Sequence, residues 1–234
     1  MATFEPLPVL LEGPQWLAVD KPAGLLVHPS SLDAHETDTV LARLETQFGQ
    51  RFQPAHRLDK GTSGVLLLAK DSGAAALLGA WFRDGLIRKT YLGLVRGWPV
   101  GDDGLIDHPL ARDPELPSTG QVQLAAQTRW RLLQRLAWPV STQTGFASTR
   151  VALLELEPLQ GRRHQLRRHC KHIAHPLIGD ATHGKGPLNR ALASYLGRQR
   201  LWLHARELRL PNGLQLPAAP GPEWLGLPAI QPLD

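Results

Sequence analysis

The stretch HRLDKGTSG, His56 to Gly64, places an acid between two bases directly before the apolar run VLLLA, residues 65–69. The acid, Asp59, has two interpretations. It can accept backbone hydrogen bonds and fix a turn, which is the usual role of Asp in a polar loop. Alternatively, an ionised carboxylate at the end of a rigid strand and near Arg57 is a preorganised nucleophile or base.

A second polar cluster lies in GRRHQLRRHCKHI, residues 161–173. Runs of this kind are most often a solvated face. However, Arg163 and Arg167 are four residues apart and would share one face of a helix. An inner guanidinium can bind a carboxylate through two hydrogen bonds, and the outer cations can bind phosphates. The basic members are Arg162, Arg163, Arg167, Arg168 and Lys171.

Other chemistries have less support in this sequence. His169, His172 and His175 are spaced by three around Cys170, but the stretch lacks an acidic residue in a metalloprotease pattern and has no CxxC pair. No metal site is therefore expected. Walker and GxGxxG loops are absent, so no cofactor is expected, and Ser63 lacks the GxSxG context of a nucleophilic serine.

The elements that must position these groups can be predicted from periodicity. The continuous apolar run before Lys70 predicts a strand buried on both faces. A helix is expected after Asp71 or Ser72, either of which can cap it. Its apolar face would contain Leu77, Leu78, Trp81 and Phe82.

The remaining elements follow from the same rules. WLAVDK, KTYLGLV, VALLELE and LWLHARELRL predict strands, and residues 37–48 predict a helix. The basic stretch predicts a helix that opens at Gly161 and closes before Pro176. The spacer 112–127 predicts a loop, and the Pro-rich tail 211–234 is expected to run extended over the surface.

Composition narrows the class of protein. The chain has 234 residues with 42% hydrophobic and 20% charged residues and a formal charge of +5, which is ordinary globular usage with a moderate basic excess. Its single cysteine and the lack of a signal peptide or long apolar run fit a cytoplasmic protein with no membrane partner. One domain over residues 1–234 is expected.

Three spaced stretches resemble the RluA family of RNA pseudouridine synthases: HRLDKGTSG, RKTYLGLVRG and GRRHQLRRHCKHIAHPLIGD. LAVDKPAGLLVHP matches the strand and turn that open the same catalytic domain. The similarity runs from about residue 16 to residue 210, which defines the expected core. The first motif begins near Trp16, so no S4 RNA-binding domain is expected before it.

The resemblance implies an α+β fold, with a long, mainly antiparallel, bent sheet, flanking helices and a central cleft. It implies a cofactor-free isomerase that breaks the ribose bond to N1 of uracil in RNA and remakes it to C5. Asp59 matches the family's catalytic Asp, Tyr91 the Tyr placed against the uracil ring, and Arg167 the basic residue paired with that Asp. Arg57 matches the residue that enters the space left by the flipped nucleotide. Whether Asp59 attacks C1′, attacks C6 or removes a ribose proton stays open.

The stretch from Gly161 onward, continuing into ATHGKGPLNR, is similar to a tRNA-modifying subgroup whose target is a uridine in the T-stem. The partner expected from this similarity is tRNA, bound by a monomer. The further cations Lys60, Arg162, Arg163, Arg168 and Lys171 are expected to contact RNA. Two alternatives remain: a ribosomal RNA synthase with the same chemistry, and a basic RNA-binding module without catalysis.

Overall fold

The computed structural model describes residues 4–29, 35–142 and 144–227. These residues form two compact units, the first within residues 1–89 and 205–219 and the second within residues 90–204 and 220–234. No helix in the described ranges is long and apolar enough to cross a membrane.

The first unit is an antiparallel sheet with two helices. Strand β4 pairs with β2 on one side and with the short β3 on the other, while β1 pairs with β2 and β12 with β11. The bounds are β1 Val9–Glu12, β2 Trp16–Lys21, α1 Val40–Phe48, β3 Gln53–Pro54, β4 Ser63–Ala69, α2 Ser72–Arg83, β11 Leu203–Arg209 and β12 Gln215–Pro217; the first two residues of β11 are counted with the second unit.

All seven residues of β4 are buried, which confirms the prediction of an internal strand. Helix α2 begins where expected, because the side chain of Asp71 accepts a hydrogen bond from Ala74 N at 2.8 Å. The predicted apolar face was wrong at Leu77, which is 50% exposed, whereas Leu78 is buried. Helix α1 starts at Val40, three residues later than predicted, since Thr39 caps it.

The second unit is built on the antiparallel order β5-β10-β9-β6, with a separate hairpin of β7 and β8. Its core contains Leu94, Trp138, Val151 and Trp202. The bounds are β5 Arg88–Arg96, β6 Asp103–Asp107, β7 Leu110–Ala111, β8 Gln123–Leu124, β9 Gln127–Trp138, β10 Thr149–Pro158, α3 Gln165–His172, α4 Gly186–Leu196 and α5 Pro222–Leu225.

Two irregular segments can be compared with expectation. The spacer 112–127 is largely the predicted loop, since residues 112–122 connect β7 to β8. The side chain of Gln121 holds this loop through bonds to both backbone groups of Asp113 and to the carbonyls of Leu116 and Pro117. The tail does not simply run extended over the surface. Residues 215–217 pair with β11, and Trp224 is buried against the ring of Trp202. Residues 228–234 of the tail lie outside the described ranges.

The strand pairs named above are antiparallel, and helices flank them in both units. The chain is therefore an α+β protein with mainly antiparallel sheet, as predicted. The loop before β4, strand β5 and helix α3 carry the candidate catalytic residues Asp59, Tyr91 and Arg167.

Candidate active site

Asp59 lies in the loop that precedes β4. Its carbonyl accepts a hydrogen bond from Thr62 N at 2.9 Å, which closes a tight turn one residue before the strand begins. Leu58 is buried, Asp59 and Lys60 are half-buried, and Arg57 is exposed. The buried side chain of Leu58 thus anchors the loop. The acid Asp59 and the bases Arg57 and Lys60 on either side of Leu58 and Asp59 remain at least partly accessible.

A buried lysine binds the backbone of this loop. Lys21, fully buried at the end of β2, has an ammonium group that donates to the carbonyls of Leu25 at 2.7 Å, Pro22 at 2.9 Å and Lys60 at 3.2 Å. The amide of Gly24 also donates to the carbonyl of Lys60 at 2.8 Å. The turn after β2 and the loop of Asp59 are therefore joined through one cation and one amide.

Gly64 is required where the loop enters β4. Its φ of 109° lies in the range that favours glycine. A Cβ at this position would also overlap the backbone of Ala205. Gly64 therefore permits a close approach of strands β4 and β11 immediately after the Asp59 loop.

Helix α3 starts at Gln165, four residues later than the sequence predicted. The Gln165 side chain accepts from Arg162 N at 3.0 Å and donates to the carbonyl of Gln127 at 2.8 Å. His164, just before the helix, has a φ of 54°, which is uncommon for a residue other than glycine. The first residues of GRRH therefore form a turn that is tied to β9.

Arg167 lies in α3 and is paired with a residue that the sequence reasoning missed. Its Nε donates to Oδ2 of Asp180 and its Nη2 to Oδ1, both at 2.8 Å. The Asp180 side chain is fully buried, and it also accepts from the amides of Thr182 and His183. The only sequence signal for this residue was its place at the end of HPLIGD.

The electrostatics of this pair are set by competing effects. Burial raises the pKa of Asp180, but the hydrogen bond and charge of Arg167, with the amide and charge of His183, more than offset it and leave the pKa below its usual value. Burial lowers the pKa of His183 to about 4, opposed by the charge of Asp180. At neutral pH the guanidinium of Arg167 is therefore paired with an ionised carboxylate, and the imidazole of His183 is neutral.

Tyr91 lies in β5 opposite Leu156 of β10 and is 8% exposed. Neighbouring Gly93 has no room for a side chain, because a Cβ there would crowd Leu177 and Leu156. Strand β5 is therefore closely packed beside Tyr91, and the Tyr91 side chain is buried.

The predicted RNA-contacting cations are placed in different surroundings. Lys60 is paired with Glu36 at 2.8 Å, and Arg163 is paired with Asp113 and Glu115 of the hairpin. Arg162 and Arg168 donate to the carbonyls of Ala125 and Ala111, also of the hairpin region. Lys171 is exposed. Three of the arginines thus hold the β7–β8 hairpin against α3.

The histidines near α3 have structural partners. His169 is fully buried between the Thr128 hydroxyl at 2.9 Å and the His108 carbonyl at 3.0 Å, and His172 stacks on the His108 ring. Burial raises the pKa of the Cys170 thiol to about 12. The described part of the chain contains no group of three or more His, Cys, Asp or Glu side chains that could hold a metal ion.

The chain matches the family described as RNA pseudouridylate synthase over residues 15–172. The chain belongs to this family. A tRNA pseudouridine synthase C of Vibrio cholerae is 41% identical over 208 residues, which cover 87% of this chain and 84% of that protein. A tRNA pseudouridine synthase C of Pasteurella multocida is 43% identical over 213 residues, covering 86% and 84%.

A solved structure agrees with this membership. Human RNA Pseudouridylate Synthase Domain Containing 1 superposes with a TM-score of 0.72 at 27% identity, over 95% of this chain and 87% of that chain. The RNA pseudouridylate synthase family predicted from three short motifs is thereby confirmed, and with it the classification of the chain as an isomerase.

Within this pseudouridylate synthase, Asp59, Arg57 and Lys60 belong to the first unit, and Tyr91 and Arg167 to the second. The structure brings the basic residues Arg162, Arg163 and Arg168 together against the hairpin and joins Arg167 to Asp180. The roles of the individual side chains in the reaction stay predictions, and so does the pairing of Asp59 with Arg167.

Proposed function

We propose that this chain isomerises a specific uridine to pseudouridine in tRNA, with a T-stem uridine as the target and Asp59 as the catalytic carboxylate. The observation that carries the tRNA target is the similarity, above 40% identity and over more than four fifths of both chains, to two proteins named tRNA pseudouridine synthase C. We also propose that the chain acts as a monomer in the cytoplasm, as one catalytic domain with its core at residues 16–210.

The reaction exchanges one bond for another within the nucleotide. The bond from C1′ to N1 breaks, the uracil turns, and C1′ bonds to C5. C5 then loses its proton and N1 gains one, so no oxidant, reductant or cofactor is consumed. What the protein must supply is access to the base, a carboxylate and a route for the C5 proton.

Access requires that the target nucleotide leave the stack, at a cost of a few kcal/mol. Arg57 is exposed beside Asp59 and carries a planar guanidinium, which can stack on bases and bind phosphate. In the proposed mechanism Arg57 fills the space that the flipped uridine leaves. Lys171 and the other cations around α3 bind the phosphate backbone.

The carboxylate must be fixed and ionised when the uridine arrives. Lys21 and Thr62 hold the loop of Asp59 through its backbone, which supports the first requirement. Arg167 is oriented by Asp180, so its guanidinium is preorganised to pair with a second carboxylate. In the proposal that carboxylate is Asp59, and the Tyr91 ring packs on the uracil while its hydroxyl assists removal of the C5 proton.

Pseudouridine mapping tests the proposed target. Purified protein is incubated separately with total tRNA and with ribosomal RNA, both from cells that lack the enzyme, and pseudouridines are then mapped chemically. A new pseudouridine in the T-stem of tRNA is expected. A new site in ribosomal RNA alone would favour the ribosomal alternative, and no new site with folded protein would favour an RNA-binding module.

A further inference from the structure

His56 lies where strand β3 leaves β4. The last backbone bond between these strands joins Ala55 N to the Leu67 carbonyl at 3.1 Å. The amide of Leu67 points to the same side, since both backbone groups of a residue in an antiparallel ladder face one neighbour. Its partner is the imidazole, because Leu67 N donates to Nε2 of His56 at 3.1 Å. The ring therefore takes the place of a strand carbonyl.

The ring is held in one orientation and one protonation state. It stacks on Phe82 of α2, with centroids 4.3 Å apart and an interplanar angle of 26°. Burial, together with the charge of Lys89, lowers the pKa of His56 to about 3, although a hydrogen bond with the Arg57 backbone opposes this. Because Nε2 accepts from Leu67, the proton of the neutral ring is on Nδ1.

We propose that His56 is a positioning residue for the reaction: its neutral ring ends β3 by capping the Leu67 amide and turns the chain so that Arg57 is exposed and Asp59 enters its tight turn. The inference rests on the proposed function, because the turn after His56 matters for the reaction only if Asp59 is the catalytic carboxylate. His56 does not exchange protons with the substrate and does not bind RNA by charge.

Two substitutions separate positioning from the other roles. His56→Gln keeps an acceptor for Leu67 without a titratable ring, whereas His56→Leu keeps bulk and loses that acceptor. A displacement of about 1 Å at a catalytic group can cost about 100-fold in rate. We expect His56→Leu to lose activity on that scale in single-turnover assays at saturating tRNA, and His56→Gln to retain most of it.

The pH profile and the exchange of the Leu67 amide relative to the other amides of β4 provide readouts that general destabilisation would not move. Because the ring is neutral near pH 7, the pH dependence of the single-turnover rate should be the same for wild type and His56→Gln. Amide hydrogen exchange at Leu67 should be slow in both, and in His56→Leu it should be faster than at the other amides of β4. The matched control is Leu78→Ala, a buried position of α2, which should lower the melting temperature without lowering the rate at saturating tRNA.

The following results would show whether His56 positions the Asp59 loop. A His56→Gln variant as slow as His56→Leu, a changed pH profile, or equal exchange at Leu67 in all three proteins would overturn this role. If His56→Leu does not fold, the rate, pH profile and exchange of His56→Gln still decide. If the wild type modifies no RNA, the proposed function fails, while the exchange measurement still shows whether His56 holds the turn.

Discussion

Arg167 and Asp180 form a buried ion pair with two hydrogen bonds, from Nε to Oδ2 and from Nη2 to Oδ1, each 2.8 Å long. The aspartate also accepts from two backbone amides, so its charge is well compensated inside the protein. This pair fixes the plane of a guanidinium on α3. It gives Arg167 a defined orientation before any substrate binds.

Asp180→Asn should therefore damage both stability and rate. Removing one partner of a buried ion pair leaves the other charge uncompensated, which costs about 3–5 kcal/mol. The free energy of unfolding, measured with urea, should fall on this scale, and the single-turnover rate on tRNA should fall because Arg167 is no longer held.

The control for this variant is Glu223→Gln, which removes one partner of Arg200, another arginine of the second unit. This pair is also largely buried, so the free energy of unfolding should fall there too, while the rate at saturating tRNA should not. An Asp180→Asn protein with the stability and rate of the wild type would show that Asp180 does not orient Arg167.

Acid should destabilise the wild type more than His56→Gln. The folded protein has the His56 pKa lowered to about 3, whereas the unfolded chain has a value near the ordinary 6.5, so the unfolded state binds more protons between these values. Stability contributed by the neutral ring is thus present above about pH 6.5 and is lost as pH falls towards 3, at up to about 1.4 kcal/mol per pH unit.

Urea unfolding at several pH values from 7 to 4.5 measures this difference. The other histidines contribute equally to the pH dependence of the free energy of unfolding in both proteins, so their contributions cancel in the comparison. Parallel losses of stability in the two proteins over this range would mean that the His56 ring is protonated without penalty in the folded state.

Lys21→Met should loosen the loop of Asp59. The ammonium group donates to three carbonyls, of which the Lys60 carbonyl would keep its bond from the Gly24 amide. A buried carbonyl left without a donor, such as that of Leu25, costs about 1–3 kcal/mol. We expect a loss of a few kcal/mol in the free energy of unfolding and a lower single-turnover rate. The same substitution at Lys70, which pairs with Glu12 near the surface, should cost less than about 1 kcal/mol. Equal effects at the two lysines would contradict a special role of Lys21.

The cations near α3 should differ in their contribution to RNA binding. Arg163 is already paired with Asp113 and Glu115, whereas Lys171 is exposed. Loss of one phosphate contact reduces the magnitude of the slope of log K against log salt concentration by about 1, where K is the association constant for RNA. Lys171→Ala should show this change in tRNA binding at several salt concentrations, and Arg163→Ala a smaller one. The reverse order would mean that RNA displaces the hairpin carboxylates from Arg163.

Local patterns were sufficient to predict much of the fold. The apolar run of β4 and the capping residue Asp71 act within a few residues, so their prediction did not need the tertiary structure. The start of α3 was wrong by four residues because Gln165 bonds to Gln127, far away in the sequence. Tertiary contacts of this kind override helix propensity and are invisible to periodicity.

The site was predicted through its reactive residues, while the residues that hold them were missed. A lysine is rarely fully buried, so nothing in its type suggested that Lys21 would bind three carbonyls. Asp180 follows a glycine, where an acid usually forms a turn. Trp224 lies in a Pro-rich tail, where composition favoured an extended surface segment, yet its ring is buried.

Tritium release from tRNA labelled at C5 of uridine tests the central claim most directly, because the new bond to C5 expels that hydrogen. Asn fixes turns as Asp does, so Asp59→Asn should keep the loop, the fold and most tRNA affinity. The wild type should release tritium in proportion to the target uridine, and Asp59→Asn should release none. Release by Asp59→Asn at the wild-type rate would contradict the assignment of Asp59 as the catalytic carboxylate.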